Sequence, residues 1–183
     1  MALTYSSMIA LDSKIPHFEL ENVLDGQMYA SSSLSNDKPS LIMVICNHCP
    51  YVIHYHEELK RMNSDFGDKI DFVAISSNDI INYPQDGPEQ MKELFLKLGL
   101  SFPYLFDETQ DIAKSYSAVC TPDIFLYDAD RKLKYRGRLD DNWKEPEGVT
   151  REELKMAIDA TLSGNEIEFM QIPSMGCNIK WKN

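Results

Sequence analysis

The chain reads as short apolar runs separated by polar stretches, and the period and length of each run predict an element. His17-Phe18-Glu19-Leu20 and Gln27-Met28-Tyr29-Ala30, on either side of Asp25-Gly26, are expected to form an N-terminal β-hairpin. Ser40 to Ile45 is a nearly unbroken apolar run of strand length, and Ile70 to Ser76 is a second. Between them, Tyr51 to Phe66 places Val52, Tyr55, Leu59 and Met62 on one face of a helix opened by Pro50, whose missing N–H would have had no partner in a first turn. Pro88 to Leu98 is expected as a helix closed by Gly99, and a third helix covers about Thr109 to Ala118. Ile124 to Tyr127 and Leu133 to Arg138 are split by Asp128-Ala129-Asp130, a short reversal suited to a hairpin. A last helix is expected from Arg151 to Leu162, with Thr150 as N-cap, Glu153 completing a capping box and Gly164 just past the end. The resulting β-α-β-α-β-β-α order predicts an α/β domain with a central mixed sheet flanked by helices.

Length and charge narrow the picture. With 183 residues, 43% of them apolar, the chain can bury one core, so a single domain over residues 1–183 is expected. A formal net charge of −11, with no strongly basic cluster, argues against nucleic acid or an anionic membrane as the main partner. No basic leader with an apolar core precedes the domain pattern, and no run approaches about 20 apolar residues, so a cytoplasmic location is expected. In a reducing compartment four cysteines suit catalysis, metal binding or packing better than structural staples.

The chemistry concentrates at Cys46-Asn47-His48-Cys49-Pro50, a C-x-x-C motif between a buried strand and the mouth of a helix. Unpaired N–H groups and the helix dipole favour a thiolate there, and can pull a cysteine pKa from about 8.5 to roughly 3.5–7.5. His48, between the two sulfurs, can add positive charge or a hydrogen bond that stabilises the reduced form. The motif predicts a thiol–disulfide oxidoreductase in which Cys46, expected to be the more exposed thiol, attacks a disulfide and Cys49 resolves the mixed disulfide. It calls for no cofactor.

Four segments carry a family resemblance: Ile15-Pro16-His17-Phe18-Glu19-Leu20, Cys46-Asn47-His48-Cys49-Pro50-Tyr51, Cys120-Thr121-Pro122-Asp123-Ile124-Phe125-Leu126, and Gly176-Cys177-Asn178-Ile179-Lys180-Trp181. Together they span nearly the whole chain. The chain resembles the thioredoxin-fold superfamily, and within it the peroxiredoxin-like branch of redoxin-domain proteins. The resemblance implies a thioredoxin-like fold with a C-terminal tail. It also implies that Pro122 is a cis-proline facing the cysteine pair, with the Thr121 backbone beside Cys46 as an edge on which an extended substrate pairs. Cys120 would then lie near the pair, and Cys177 could fold back as an auxiliary resolving thiol; packing is the competing account of both.

The match departs from peroxiredoxins proper, which share a Pro-x-x-x-Thr/Ser-x-x-Cys run. Counting back from Cys49 gives Cys46 at the hydroxyl position and Ile42 at the proline position; counting back from Cys46 gives Met43 and Pro39. Dithiol exchange is therefore expected over peroxide reduction, with a protein or small-molecule disulfide as substrate, a cellular thiol as reductant and a sheet edge compatible with a homodimer. The alternatives are an atypical thiol peroxidase, or a binding module whose cysteines are inert or hold a metal. A metal would recruit Cys120, Cys177, His54 or His56, although His54 and His56 point to different sides of a helix, and no metal is expected. The turn-rich Asn78 to Pro88 is expected to be a solvated connector, with a substrate groove as the other account. Lys132, Lys134, Arg136 and Arg138 are expected on a wet strand face. Asp140-Asp141-Asn142 and Trp143 are either a border of the cleft or a surface turn.

Overall fold

The computed structural model describes residues 3–182. In chain order its elements are β1 (Leu3–Tyr5), β2 (Glu19–Asn22), β3 (Met28–Ala30), β4 (Ser40–Val44), α1 (Pro50–His54), α2 (His56–Phe66), β5 (Asp71–Ser76), α3 (Pro88–Leu98), β6 (Tyr104–Phe106), α4 (Asp111–Ser115), β7 (Cys120–Thr121), β8 (Asp123–Tyr127), β9 (Leu133–Arg136), α5 (Glu153–Leu162) and β10 (Met175–Asn178). Seven strands form the main sheet in the order β3-β2-β6-β5-β4-β8-β9. β4 lies near its middle, parallel to β5 and antiparallel to β8, so the sheet is mixed as expected.

Period-2 alternation divides the core between the two faces of this sheet. Leu41, Met43, Phe72, Ala74, Ile124 and Leu126 point to the face covered by α1, α2, α3 and α5, where Val52, Leu59, Met62, Phe95 and Ile158 pack. Ile42, Val44, Val73, Ile75, Phe125 and Tyr127 point to the other face, which Phe18, Leu34, Ala113 and Tyr116 cover. This is the thioredoxin-like layering. No helix among the described residues is long and apolar enough to cross a membrane.

Several elements differ from expectation for local reasons. The helix expected over Tyr51 to Phe66 is two helices, because the Tyr55 N–H bonds to the Val52 carbonyl three residues back and tightens the turn at the junction. The third helix shrinks to α4, flanked by Gln110 and Ser117 in the left-handed region. The capping box does not form: α5 begins at Glu153, Thr150 bonds to Asp141, and the Glu153 carboxylate accepts from Arg138. The wet basic face is also corrected. Arg136 is fully buried, paired with Asp123 at 3.1 Å and lying 4.1 Å from the Phe125 ring centroid, while Arg138 is spent on buried Glu153.

A second, three-stranded sheet was not expected. β10 lies between β1 and β7, antiparallel to both, so the first and last strands meet over the segment that precedes β8.

Candidate redox site

β4 ends at Val44, and the Ile45 N–H still bonds across to Ile75, so the chain enters Cys46 from the sheet on a fixed course. The next two residues are held by Asp86, a fully buried carboxylate in the loop between β5 and α3. Its Oδ1 accepts the backbone N–H groups of Asn47 (2.9 Å) and His48 (3.3 Å). Its Oδ2 lies 2.6 Å from His48 Nδ1 and accepts from Asn78 Nδ2 at 2.8 Å. Asn47 in turn donates to the Gln85 carbonyl and accepts from the Tyr104 hydroxyl, while His48 stacks on Tyr83. Most of the Asn78–Pro88 segment that braces the motif is buried or half-buried, which corrects the expectation of a solvated connector. Asp86, Asn78, Tyr83 and Tyr104 are site residues that sequence reasoning missed; the one available signal was the position of this loop at the carboxyl end of a core strand.

Pro50 occupies the first position of α1, which makes Cys49 the N-cap. The two thiols converge on one residue. Cys46 Sγ lies 3.4 Å from Thr121 Oγ1, and Cys49 Sγ lies 3.1 Å from the Thr121 carbonyl oxygen. The Thr121–Pro122 peptide is cis, as the resemblance implied. Both cysteines are reduced, and both are buried, Cys46 at 1% exposure and Cys49 at 0%, so the exposed Cys46 of the sequence reading is not found.

Of the two thiols, Cys49 is the one held acidic. A hydrogen bond from the Cys46 thiol, reinforced by the thiol and amide of Cys177 and the amide of Val52, holds Cys49 down at about 4 against the cost of burial. Cys46 is pushed well above the ordinary thiol value because its proton is the one shared with Cys49, and because it is buried near the negative Asp86. The two shifts oppose each other because one proton lies between the two sulfurs. His48 directs its Nδ1 to Asp86 and lies close to Cys46 without a hydrogen bond to either thiol among the described contacts.

The remaining candidates divide. Thr121, proposed as a substrate edge, already pairs with this chain: β10 places Cys177 opposite Thr121 and Asn178 opposite Cys120. The approach is close enough to require glycine at 176, where a Cβ would stand 1.9 Å from the Thr121 carbonyl oxygen. Cys177, buried and hydrogen-bonded to Cys49, is pushed up to about 12 by burial first and then by that contact. Cys120 points its thiol to the Pro122 carbonyl and is raised by burial and by Asp123, a packing position beside the Asp123–Arg136 pair. Among the described residues, the potential metal-ligating atoms that cluster are those of Cys46, His48 and Asp86, within 4.8 Å of one another, and neither His54 nor His56 joins them. Asp86 already accepts four hydrogen bonds there, so its carboxylate is committed to organising the loop. Trp143 stacks on Tyr51 at the start of α1, with centroids 4.4 Å apart, and Asp141 accepts the N–H groups of Thr150 and Arg151.

Comparison with known proteins places this geometry. The Redoxin family model matches residues 10–154. An uncharacterized conserved protein from Geobacillus kaustophilus is similar at 46% identity, covering 100% of this chain and 97% of its own, with a TM-score of 0.94. A hypothetical protein from Sinorhizobium meliloti 1021 is 37% identical, covers 98% of each chain and gives 0.92. The thioredoxin domain of a thiol-disulfide oxidoreductase from Bacteroides vulgatus shares the fold at 18% identity, with a TM-score of 0.60 over 70% of this chain and 89% of that one. No curated protein matches the chain.

Proposed function

This chain belongs to the redoxin family, and we propose that within it the Cys46–Cys49 pair works as a dithiol–disulfide centre exchanging electrons with disulfide substrates. The observation that carries this reading is the placement of two free thiols three residues apart under the Thr121–Pro122 turn, with Cys46 Sγ 3.4 Å from Thr121 Oγ1 and Cys49 Sγ 3.1 Å from the Thr121 carbonyl oxygen. Thiolate is the nucleophile in exchange, so Cys49 is the attacking sulfur and Cys46 the resolving one, the reverse of the order expected from sequence. Attack by Cys49 on a disulfide forms a mixed disulfide and expels one thiolate. Cys46 then attacks Cys49 Sγ, its proton passes to the departing sulfur, and a Cys46–Cys49 disulfide remains for a cellular thiol to reduce. A thiolate stabilised by the helix N-terminus favours the reduced form and makes the disulfide the more oxidising.

The self-paired Thr121 edge favours small disulfides over extended peptide substrates, and it weighs against a peptide-binding module built on that edge. A thiol peroxidase is the second reading, favoured by the buried, low-pKa Cys49 at a helix N-cap. The deciding experiment equilibrates the purified protein across a glutathione redox series, alkylates the remaining thiols and locates each by mass spectrometry. A reversible Cys46–Cys49 disulfide with a measurable midpoint is the expected result; two thiols that remain alkylatable throughout would overturn the dithiol reading. Repeating the oxidation with hydroperoxide separates the peroxidase.

A further inference from the structure

Cys49 has two sulfur neighbours, and the second comes from the opposite end of the chain. Strand β10 fixes Cys177 opposite Thr121, and the Thr121 carbonyl oxygen lies 3.1 Å from Cys49 Sγ. The absence of a side chain at Gly176 lets the strand press onto Thr121, which no other residue would permit at this spacing. Cys177 and Cys49 lie in the same buried cluster, and each sulfur alters the acidity of the other. An extended segment with a cysteine opposite Thr121 is what a docked disulfide substrate would present to the pair. In this protein the chain itself supplies it.

β10 is anchored as a structural strand. The Ser6 N–H bonds to the Ser174 carbonyl and the Ser174 hydroxyl to the Pro122 carbonyl, both at the entry to the strand. At its exit the Ile179 N–H bonds to Val119, the Lys180 N–H to Asn78 Oδ1, and the Lys180 carbonyl accepts from Asp79 N and from Gln110 Nε2. Asn78 is the residue that also donates to Asp86, so one buried amide ties the tail to the carboxylate that positions Asn47 and His48. Lifting the strand would break these bonds together, and they hold Cys177 beside Cys49.

We propose that Cys177 is a third redox thiol, which attacks Cys49 Sγ and moves the disulfide from Cys46–Cys49 to Cys49–Cys177. The proposal rests on the dithiol reading above. In the step, the Cys177 sulfur forms a bond to Cys49 Sγ, the Cys46–Cys49 bond breaks, and Cys46 leaves as the thiolate and takes up the proton that Cys177 gives up. One disulfide replaces another, with no net oxidation. The same attack on a mixed disulfide at Cys49 expels the external thiol instead. Oxidation turns Cys49 Sγ from a nucleophile into the electrophilic sulfur that Cys177 faces. The disulfide thus gains two resting places, one in the C-x-x-C loop and one joining α1 to the tail strand.

The test compares wild type, Cys46→Ser and Cys46→Ser/Cys177→Ser as full chains, each oxidised with glutathione disulfide, acid-quenched, alkylated and mapped by mass spectrometry without reduction. Cys46→Ser is expected to give a Cys49–Cys177 linked peptide, and the double variant to lose it and hold glutathione on Cys49. Wild type is expected to show both the Cys46–Cys49 and Cys49–Cys177 peptides. The proposal is overturned if wild type forms Cys46–Cys49 reversibly while Cys177 remains alkylatable in both wild type and Cys46→Ser. If wild type forms no Cys46–Cys49 disulfide, the dithiol reading fails instead. Wild type alone decides the matter should Cys46→Ser not fold.

Discussion

Asp86 does with one carboxylate what the sequence motif leaves undone: it accepts two backbone amides, the His48 ring and the Asn78 amide, and so fixes the path of the chain between the two thiols. Asp86→Asn can keep one oxygen on the backbone amides but turns the other into a donor facing His48 Nδ1 and Asn78 Nδ2, and about 1–3 kcal/mol of stability is the expected loss, measured by denaturant unfolding of the reduced protein. It also removes a negative charge near Cys46, so alkylation of Cys46 should extend to lower pH. Cys49 sets a second dependence. Its folded pKa of about 4 lies below an ordinary thiol near 8.5, so between these limits the unfolded chain holds a proton that the native state lacks. The stabilisation is lost as pH falls through about 4 and is greatest near about 8.5, above which Cys46 keeps a proton that the unfolded chain releases. Melting of the reduced protein should rise with pH across that window in wild type, and the rise should be absent in Cys49→Ser. Arg136 illustrates what periodicity cannot show. It alternates with lysines in sequence, yet it is buried against Asp123 and Phe125, because its partners lie on β8 and at the end of α4 rather than on its own strand. Arg136→Ala strands a buried carboxylate and is expected to cost about 3–5 kcal/mol by denaturant unfolding.

Elements were legible where the punctuation was local. Pro88 opens α3 and Gly99, in the left-handed region, closes it, both as read from the sequence. The β8–β9 hairpin and the hairpin at Gly26 follow from turn residues between apolar runs. Short strands without such signals were not legible: β6, β7 and β10 have only two to four residues each, and their pairing is settled by partners far along the chain. The capping box failed for a related reason, since Thr150 and Glu153 found stronger partners in Asp141 and Arg138. Gly176 is the residue on which β10 depends. Gly176→Ala would drive a methyl group into the Thr121 carbonyl, and the strand must move away to relieve it. A loss of about 1–3 kcal/mol is expected, with faster amide exchange at Ile179 as the specific readout, because that N–H bonds to Val119.

At the level of the whole molecule, strand and helix order was enough to reach a mixed sheet flanked by helices, because alternating apolar runs leave few ways to layer one sheet, and the thioredoxin-like fold came from the resemblance. The C-x-x-C motif and the Thr121–Pro122 turn were also legible, one by spacing and one by resemblance. What could not be read was that the edge beside them is filled, since that depends on residues 3–5 and 175–178 meeting across the entire chain. A filled edge has a kinetic consequence. The reduced protein should react faster with a small disulfide such as glutathione disulfide than with a disulfide in a folded protein, as measured by stopped-flow mixing and quench. Comparable rates would show that β10 gives way to the larger substrate.

The second sheet also orders events during synthesis. β1 is made before its strand partner β10, so it waits unpaired until the chain between them and that strand exist. Cys46 and Cys49 likewise leave the ribosome long before Cys177. A growing chain can bury its main sheet and helices while the thiol pair has neither its cover nor its third sulfur, and the last strand to emerge closes the site and gives the first strand its place.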